Sequence, residues 1–468
     1  MRITVVGSGY VGLVAGACLC EIGHDVVLVD KDPKRYSALA AGECPIHEAH
    51  LPELLAKNRG HKLTFSCDLT ESVRSSQAVF VAVGTPPNIN GEADLSYVES
   101  VAREIAGCID DYKVIVGKST VPVYTSEWVR RIMVLNGAPA DLFEVASNPE
   151  FLREGTAVTD FLYPDRIVVG ADTKEAANVL RKIYMPLLDG TYYKRANAIP
   201  GPSSATIPPP FFVTSAKSAE LIKYASNAFL AMKISFINAV ATICDSVGAD
   251  VDQVRQGIGS DNRIGPRFLY PGIGYGGSCF PKDLSAYRAV ARECGYDFRL
   301  LEEVMRINEE QQDRFLRKVR SALWTIKGKR LGVLGLAFKG GTDDIRESPA
   351  ISIVDWLINE GAFIQAYDPA AMERAQFVLP SRNMLFVNSP YEAAEGADAL
   401  LLLTEWDDFK NLDYARIRSS LRYPIIVDGR NLLDPEEMRK LDFIYLSIGR
   451  PDVIPTKVNR PITAEAVA

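Results

Sequence analysis

The sequence predicts an α/β protein: two doubly wound, Rossmann-like domains joined by a long central helix. Three observations predict it. Short β-rich apolar runs alternate with helical patterns from the first residues; a stretch at 214–247 then runs free of Gly and Pro; and the strand–helix alternation restarts behind it. A length of 468 residues, at about 150 per domain, suits two or three domains with large cores.

Taken in order, the apolar runs at 3–6, 25–29, 79–83, 114–116 and 167–169 read as strands of a parallel sheet, within an N-terminal dinucleotide-binding domain at 1–198. The Pro-rich run at 199–212 fits neither a helix nor a central strand and reads as an exposed linker or excursion. The segment 214–247 reads as one long helix or two nearly continuous ones, capped by Thr214 or Ser215 and stopped by Gly248. It would extend roughly 50 Å, and its apolar faces need cover from the flanking domains or from a second subunit. Helices at 281–293 and 300–326 complete a central helical dimerisation domain at 212–325. Strands at 330–334, 363–367, 399–404 and 425–427, with a helix at 349–360, make a second α/β domain at 328–450. The last eighteen residues carry three prolines and read as a loose tail, and no short internal repeat is visible.

Composition narrows the function. Hydrophobic residues at 47% and charged residues at 24% exclude wholesale disorder. A net charge of −7, from 52 Lys and Arg against 59 Asp and Glu, disfavours nucleic acid and anionic membranes as partners and favours a small molecule. The eight cysteines show no CxxC or framework spacing, as expected of reduced thiols in a cytoplasmic protein. No uninterrupted apolar run reaches the roughly 18 residues of a membrane span. Arg2 and the apolar run behind it resemble a secretory leader, but the glycines within that run have a better use. All four histidines fall within the first 61 residues, so chemistry centred later must take its base from Glu, Asp, Lys or Cys. His47 and His50 stand in HEAH, which is not the HExxH zinc spacing, and no metal is expected.

Two runs carry chemistry. In RITVVGSGYVGLVAG, Gly7, Gly9 and Gly12 have the G-x-G-x-x-G spacing between a strand and a helix, which seats a diphosphate on the helix N-terminus. Asp30, ending the next strand, is placed for a ribose 2′-hydroxyl and against a 2′-phosphate, so NAD is expected over NADP, although Lys31, Lys34 and Arg35 stand nearby. In GIGYGGSCFPKD, glycines 272, 274, 276 and 277 crowd before Cys279, letting backbone press against a ligand beside the thiol. Pro281 suits a first helical turn, so Cys279 falls just outside a helix N-terminus, where the dipole and Lys282 favour thiolate. A nucleophilic cysteine beside NAD points to oxidation of an aldehyde through a thiohemiacetal and thioester, and two oxidations in one site would consume two NAD.

With these motifs in hand, the chain resembles the UDP-glucose 6-dehydrogenases of the UDP-glucose/GDP-mannose dehydrogenase superfamily. The resemblance covers about residues 1–450 in a consistent order: GSGYVG, VGTPP, KSTVP, SNPEFLREG, PDRIVVG, SAELIKYASNAFLA, GYGGSCFPKD, GLAFKGGTDDIRESP and DGRNLL. It implies oxidation of the C6 hydroxymethyl of UDP-glucose to UDP-glucuronate with two NAD, by a homodimer; the same chemistry on GDP-mannose or a UDP-N-acetylhexosamine is the alternative.

Residue by residue, the resemblance makes Cys279 the covalent nucleophile. Lys223 and Asn227 polarise the C6 oxygen and hold the oxyanion, Asp283 helps order the catalytic water, and Thr120 and Glu150 serve water positioning and proton transfer. Around the cofactor it places Tyr10 and Val11 with the glycines, Lys31 and Lys34 with Asp30, and Gly84, Thr85, Thr120, Glu154 and Arg346. Around the substrate it places Phe151, Leu152, Arg153 and Glu154, then Phe268, Tyr270, Gly272 and Gly274, and from the second domain Phe338, Lys339 and Arg430. Arg263 matches an arginine that in relatives enters the partner's sugar site. Tyr270 stands where relatives often carry a small polar or basic side chain, and the segment 197–210 is longer than the usual connection.

Overall fold

The computed structural model describes residues 1–88, 90–202 and 207–455. The terminal tail from 456 and part of the Pro-rich run lie outside the described residues. The chain forms two compact units, Met1–Ser226 with Ser285–Asp297, and Asn227–Leu284 with the chain from Phe298 onward.

In the first unit the apolar runs become β1 (Arg2–Val6), β2 (Asp25–Val29), β4 (Ala78–Val81), β5 (Lys113–Gly117) and β7 (Ile167–Gly170). Three further strands, β3 (Leu63–Ser66), β6 (Phe143–Ser147) and β8 (Phe211–Thr214), extend them into a sheet of order β3-β2-β1-β4-β5-β6-β7-β8. All pairs are parallel except β6 with β7. β8 corrects the reading of 199–212 as wholly linker: Phe211 and Phe212 pair with Ile167 and Val168. The prolines end at 210, and an edge strand needs ladder hydrogen bonds on one side only. Ile3, Val5, Val26, Leu28, Phe80, Val114 and Val116 are buried with helix residues Leu13, Val14, Ala17, Leu180 and Ile183, as a parallel sheet covered on its faces requires.

The second unit repeats this grammar. Six parallel strands, β9 (Arg330–Leu334), β10 (Phe363–Tyr367), β11 (Met384–Phe386), β12 (Ala399–Leu402), β13 (Ile425–Asp428) and β14 (Ile444–Leu446), lie in the order β11-β10-β9-β12-β13-β14. The helix Pro349–Asn359 buries Ile353, Val354 and Leu357 on this sheet.

The long helix runs over Ala216–Val247, 32 residues, and Ser218 N donates to the Ser215 hydroxyl at 3.2 Å, so the cap is Ser215. Among the described residues it alone is long and apolar enough to cross a membrane. Yet Glu220, Lys223, Asn227, Ser235 and Asn238 are buried within the protein, which marks it as a core helix. It leaves Phe229, Phe236 and Ile243 exposed at seven-residue spacing on one face. Helices Phe280–Glu293 and Arg299–Leu323 follow.

Candidate active site

In the first unit β1 runs into Gly7, whose φ of +99° and the Ala82 carbonyl oxygen, 2.7 Å from where a Cβ would stand, admit glycine alone. A side chain at Gly12 would collide with the Gly7 carbonyl oxygen, so helix Tyr10–Ile22 can press on the turn only through glycine. Gly9 differs. It is the N-cap, nothing lies within 4 Å of its missing Cβ, and no side chain caps the helix. Open space at a helix N-terminus fits a diphosphate.

Asp30 ends β2 and accepts from Ser8 N at 2.9 Å and Ser8 Oγ at 2.5 Å, with Arg35 at 3.5 Å. Burial works to raise its pKa, but the bonds from Ser8 and Asp32 N outweigh it and hold the carboxyl below its usual range. An ionised, partly exposed carboxylate beyond the glycine turn suits a ribose diol, so the residues present fit NAD. Lys31 reaches over the Tyr97 ring at 5.1 Å, and Lys34 N caps onto Asp32 at 2.9 Å. At the next strand ends, Thr85 Oγ1 donates to the Thr120 carbonyl at 2.9 Å and Ser119 Oγ to the Val83 carbonyl at 2.7 Å, tying the loops of Gly84 and Thr120 together.

The loop after β6 carries Glu150. Its Oε1 lies 2.9 Å from Lys223 Nζ, both side chains buried, and its Oε2 accepts from Leu152 N at 2.6 Å. Burial pushes the Glu150 pKa up, but Lys223, the Leu152 amide and Lys118 together bring it below the ordinary value. The Phe151 ring lies 5.5 Å from Lys223 Nζ and 3.8 Å from the Arg166 guanidinium. Arg153 is spent on Asp160, with contacts of 2.6 and 3.1 Å. Glu154 is buried, and the neighbouring Gly155 N donates to Glu48 at 2.7 Å and to Tyr10 Oη at 3.0 Å, while Tyr10 donates to Glu48. Val11 lies on the first turn of its helix.

In the second unit Cys279 precedes helix Phe280–Glu293, its carbonyl taking the first helical bond from Asp283 N at 2.8 Å, and Ser278 Oγ lies 3.6 Å from the thiol. Asp283 is buried. Asn227 Nδ2 donates to its Oδ2 at 2.6 Å, and Lys282 Nζ stands 3.0 Å from Oδ1. Protein fills the space of the side chains that the glycines ahead of the cysteine lack. Gly429 O lies at Gly272, Asn308 at Gly274, the Glu347 carbonyl at Gly276, and the Phe338 ring at Gly277, 2.7 Å from a would-be Cβ. Arg430 is likewise engaged by backbone, donating to the carbonyls of Leu403, Phe338 and Gly274 at 2.8, 2.9 and 3.3 Å. Lys339 Nζ lies 5.6 Å from the Phe338 ring, and Arg346 is clamped by Asp344 at 2.6–3.0 Å. Phe268 packs on Phe280 at 6.4 Å; Tyr270 is exposed, with Arg255 5.4 Å from its ring; Arg263 projects outward, held by Asp261 at 2.6 Å.

This order of parts decides the family. The chain matches the NAD binding domain of the UDP-glucose/GDP-mannose dehydrogenase family over residues 1–188, its central domain over 217–310 and its UDP binding domain over 332–435. It belongs to that family. A UDP-glucose 6-dehydrogenase of Rhizobium meliloti is 46% identical over 457 residues, covering 97% of this chain and all of the relative. TuaD, a UDP-glucose 6-dehydrogenase of Bacillus subtilis, is 43% identical over 97% of this chain and 94% of its own. Among solved structures, a UDP-glucose dehydrogenase from Pyrobaculum islandicum superposes with a TM-score of 0.84 at 36% identity, covering 96% of this chain and 98% of that one.

The sequence reading of this family member missed Lys118, Asn148 and Glu48. Lys118 is buried at the end of β5, its Nζ 3.0 Å from Asn148 Oδ1, and Asn148 also accepts from Tyr184 at 2.6 Å. The signal was present in KSTVP, a lysine directly after an apolar strand, where α/β sheets place ligand-facing groups. Among the described residues no cluster of three His, Cys, Asp or Glu is arranged to hold a metal ion, and no two cysteines are joined in a disulfide.

Proposed function

We propose that the protein is a cytoplasmic, homodimeric, NAD-dependent UDP-glucose 6-dehydrogenase, carrying the C6 hydroxymethyl of UDP-glucose to the carboxylate of UDP-glucuronate. The arrangement of Cys279 at the mouth of a helix, with Asp283 one turn on, buried and hydrogen-bonded to Asn227, carries the reading: a thiol placed for attack beside an ordered carboxylate–amide pair. NAD, when bound, accepts hydride in each of the two oxidations.

The chain's own groups do the rest. The first oxidation takes a hydride from C6 and a proton from its hydroxyl, with Lys223 stabilising the oxygen as charge develops and Glu150 ionised to manage the proton. The Cys279 thiolate adds to the aldehyde carbon, and Asn227 and Lys223 hold the resulting oxyanion as a thiohemiacetal. Loss of the second hydride leaves a thioester. Water, oriented by Asp283 and Thr120, adds to the thioester carbon and expels the thiolate, leaving the carboxylate. Two hydrides leave, so two NAD are reduced. The exposed stripe of Phe229, Phe236 and Ile243 supports pairing of two copies along the long helix.

NADH release across a panel of nucleotide sugars tests the substrate: UDP-glucose should give two NADH per molecule, and turnover of GDP-mannose without UDP-glucose would overturn the reading. Cys279→Ser tests the thioester. Its steady-state rate should fall by about a thousandfold while NAD still binds, and full activity would exclude the covalent route.

A further inference from the structure

Lys118 has no part in the reaction just described, yet it is 5% exposed and sits within the electrostatic reach of Glu150 and Lys223. A buried ammonium is costly unless its charge is used. The surroundings define that use. From the loop after β6, Asn148 Oδ1 accepts from Nζ at 3.0 Å, and Glu150 attracts the ammonium; from the long helix, Lys223 repels it. From helix Lys174–Leu188, the Tyr184 hydroxyl shares the same Asn148 oxygen, and from helix Ala157–Leu162 the Phe161 ring lies 5.7 Å away. Cys18, on the first helix, bears on Tyr184. The single buried carboxylate in this group thus faces two lysines.

If Glu150 had Lys223 alone, any step that leaves Lys223 neutral would strand a buried, uncompensated carboxylate, and Glu150 would take the proton itself. We propose that Lys118 is a positioning residue of this site: its buried ammonium, anchored on Asn148, is the standing counter-charge that keeps Glu150 ionised while Lys223 passes between its charged and neutral forms. The proton taken from the substrate hydroxyl passes to neutral Lys223 and from it to water, and does not come to rest on Glu150. Burial pushes the Lys118 pKa down to about 8, with Lys223 adding to that and Glu150 opposing it, so the counter-charge is present at neutral pH and lost in mildly alkaline solution.

This inference rests on the proposed function, and its test separates the two. The protein is assayed with UDP-glucose and NAD from about pH 5 to 10. Lys118→Met should move the acid limb of kcat/KM up by about one pH unit, because Glu150 loses a stabilising charge, and should lower kcat with little change in KM. Lys118→Arg should restore the acid limb and move upward the alkaline fall expected of the parent near pH 8, since a guanidinium stays charged. Profiles that superimpose on the parent's in shape, with any rate loss uniform across pH, would overturn the proposal; if Lys118→Met does not fold, the alkaline limb of Lys118→Arg decides. A further arm needs no turnover: the parent's melting temperature should rise relative to that of Lys118→Arg between pH 8 and 10, where the folded state has released the Lys118 proton and the unfolded state has not. If the parent releases no NADH from UDP-glucose, the proposed function fails, and that arm alone decides on Lys118; melting temperatures that run parallel would overturn its buried charge.

Discussion

Gly12 shows how much one residue can hold. A methyl group there meets the Gly7 carbonyl oxygen, which belongs to the turn and cannot rotate away. Gly12→Ala should therefore part the first helix from its strand, costing about 1–3 kcal/mol by overpacking and weakening NAD binding in the same step; calorimetry with and without NAD reads both. Glu150 gives a pH signature of stability. Its folded pKa is depressed, so the contribution of its pairing is complete above the unfolded value of about 4.3 and is lost as pH falls through the lower folded value. Replacing it with Gln should flatten the melting temperature against pH below about pH 4.5, and an unchanged acid slope would show that other carboxylates set it. At this scale the glycines and Asp30 were legible, because their role depends on neighbours in the chain. Glu48 was not, and Lys118 only by its place directly after a strand: their bonds run to Gly155, 107 positions from Glu48, and to Asn148, 30 positions from Lys118.

The same division between local and long-range causes holds for the elements. Strands that run apolar behind one leading charged residue, such as β2 and β9, announce themselves, and both have the bounds that the pattern gives. β3 (LTFS) and β11 (MLF) lie at sheet edges and are only partly buried; β3 mixes polar with apolar residues, and β11 is only three residues long, too short to announce a strand. The long helix was legible from the absence of breakers, but its buried Glu220 was not. That carboxylate accepts from Tyr124 N and Ser126 N, both at 2.9 Å, and so caps helix Thr125–Leu135 from 94 residues away. Burial holds its pKa up against those bonds. Glu220→Ala should strip two amides of their acceptor and cost about 1–3 kcal/mol, seen as a lower melting temperature with the mass in solution unchanged. Phe236 lies exposed on the same helix between Phe229 and Ile243. Phe236→Asp should leave the fold in place and shift the species seen by light scattering from dimer to monomer; a dimer of unchanged mass would place the interface elsewhere.

Across the whole molecule, the two units repeat one sheet order, and their first crossovers can be compared directly. Gly7, with φ of +99°, corresponds to Gly335, with φ of +97°; Gly9 to Ala337; Gly12 to Gly340; and Asp30 at the end of β2 to Asp368 at the end of β10. Two amides correspond as well: Ser8 N and Asp32 N donate to Asp30 at 2.9 and 3.0 Å, as Leu336 N and Ala370 N do to Asp368, and beyond these the turns differ. In the first unit a helix begins at Tyr10, and the turn stays open beside a partly exposed Asp30. In the second unit the helix begins only at Pro349, and Asp368 is fully buried. Its carboxylate takes the amides of Leu336, Ala337, Ala370 and Ala371 at 2.7–3.1 Å, together with the Trp406 indole at 3.2 Å. With Ala337 N bonded to the buried Asp368 carboxylate and no helix opening at the turn, the second sheet lacks both the helix N-terminus that would seat a diphosphate and an exposed carboxylate for a ribose. Calorimetric titration should accordingly find about one NAD per chain, and Asp30→Ala should remove that binding almost completely. Were half the stoichiometry of a two-site chain to survive that substitution, the second turn would have to open, and Asp368 would have to release amides that the folded unit holds in its core.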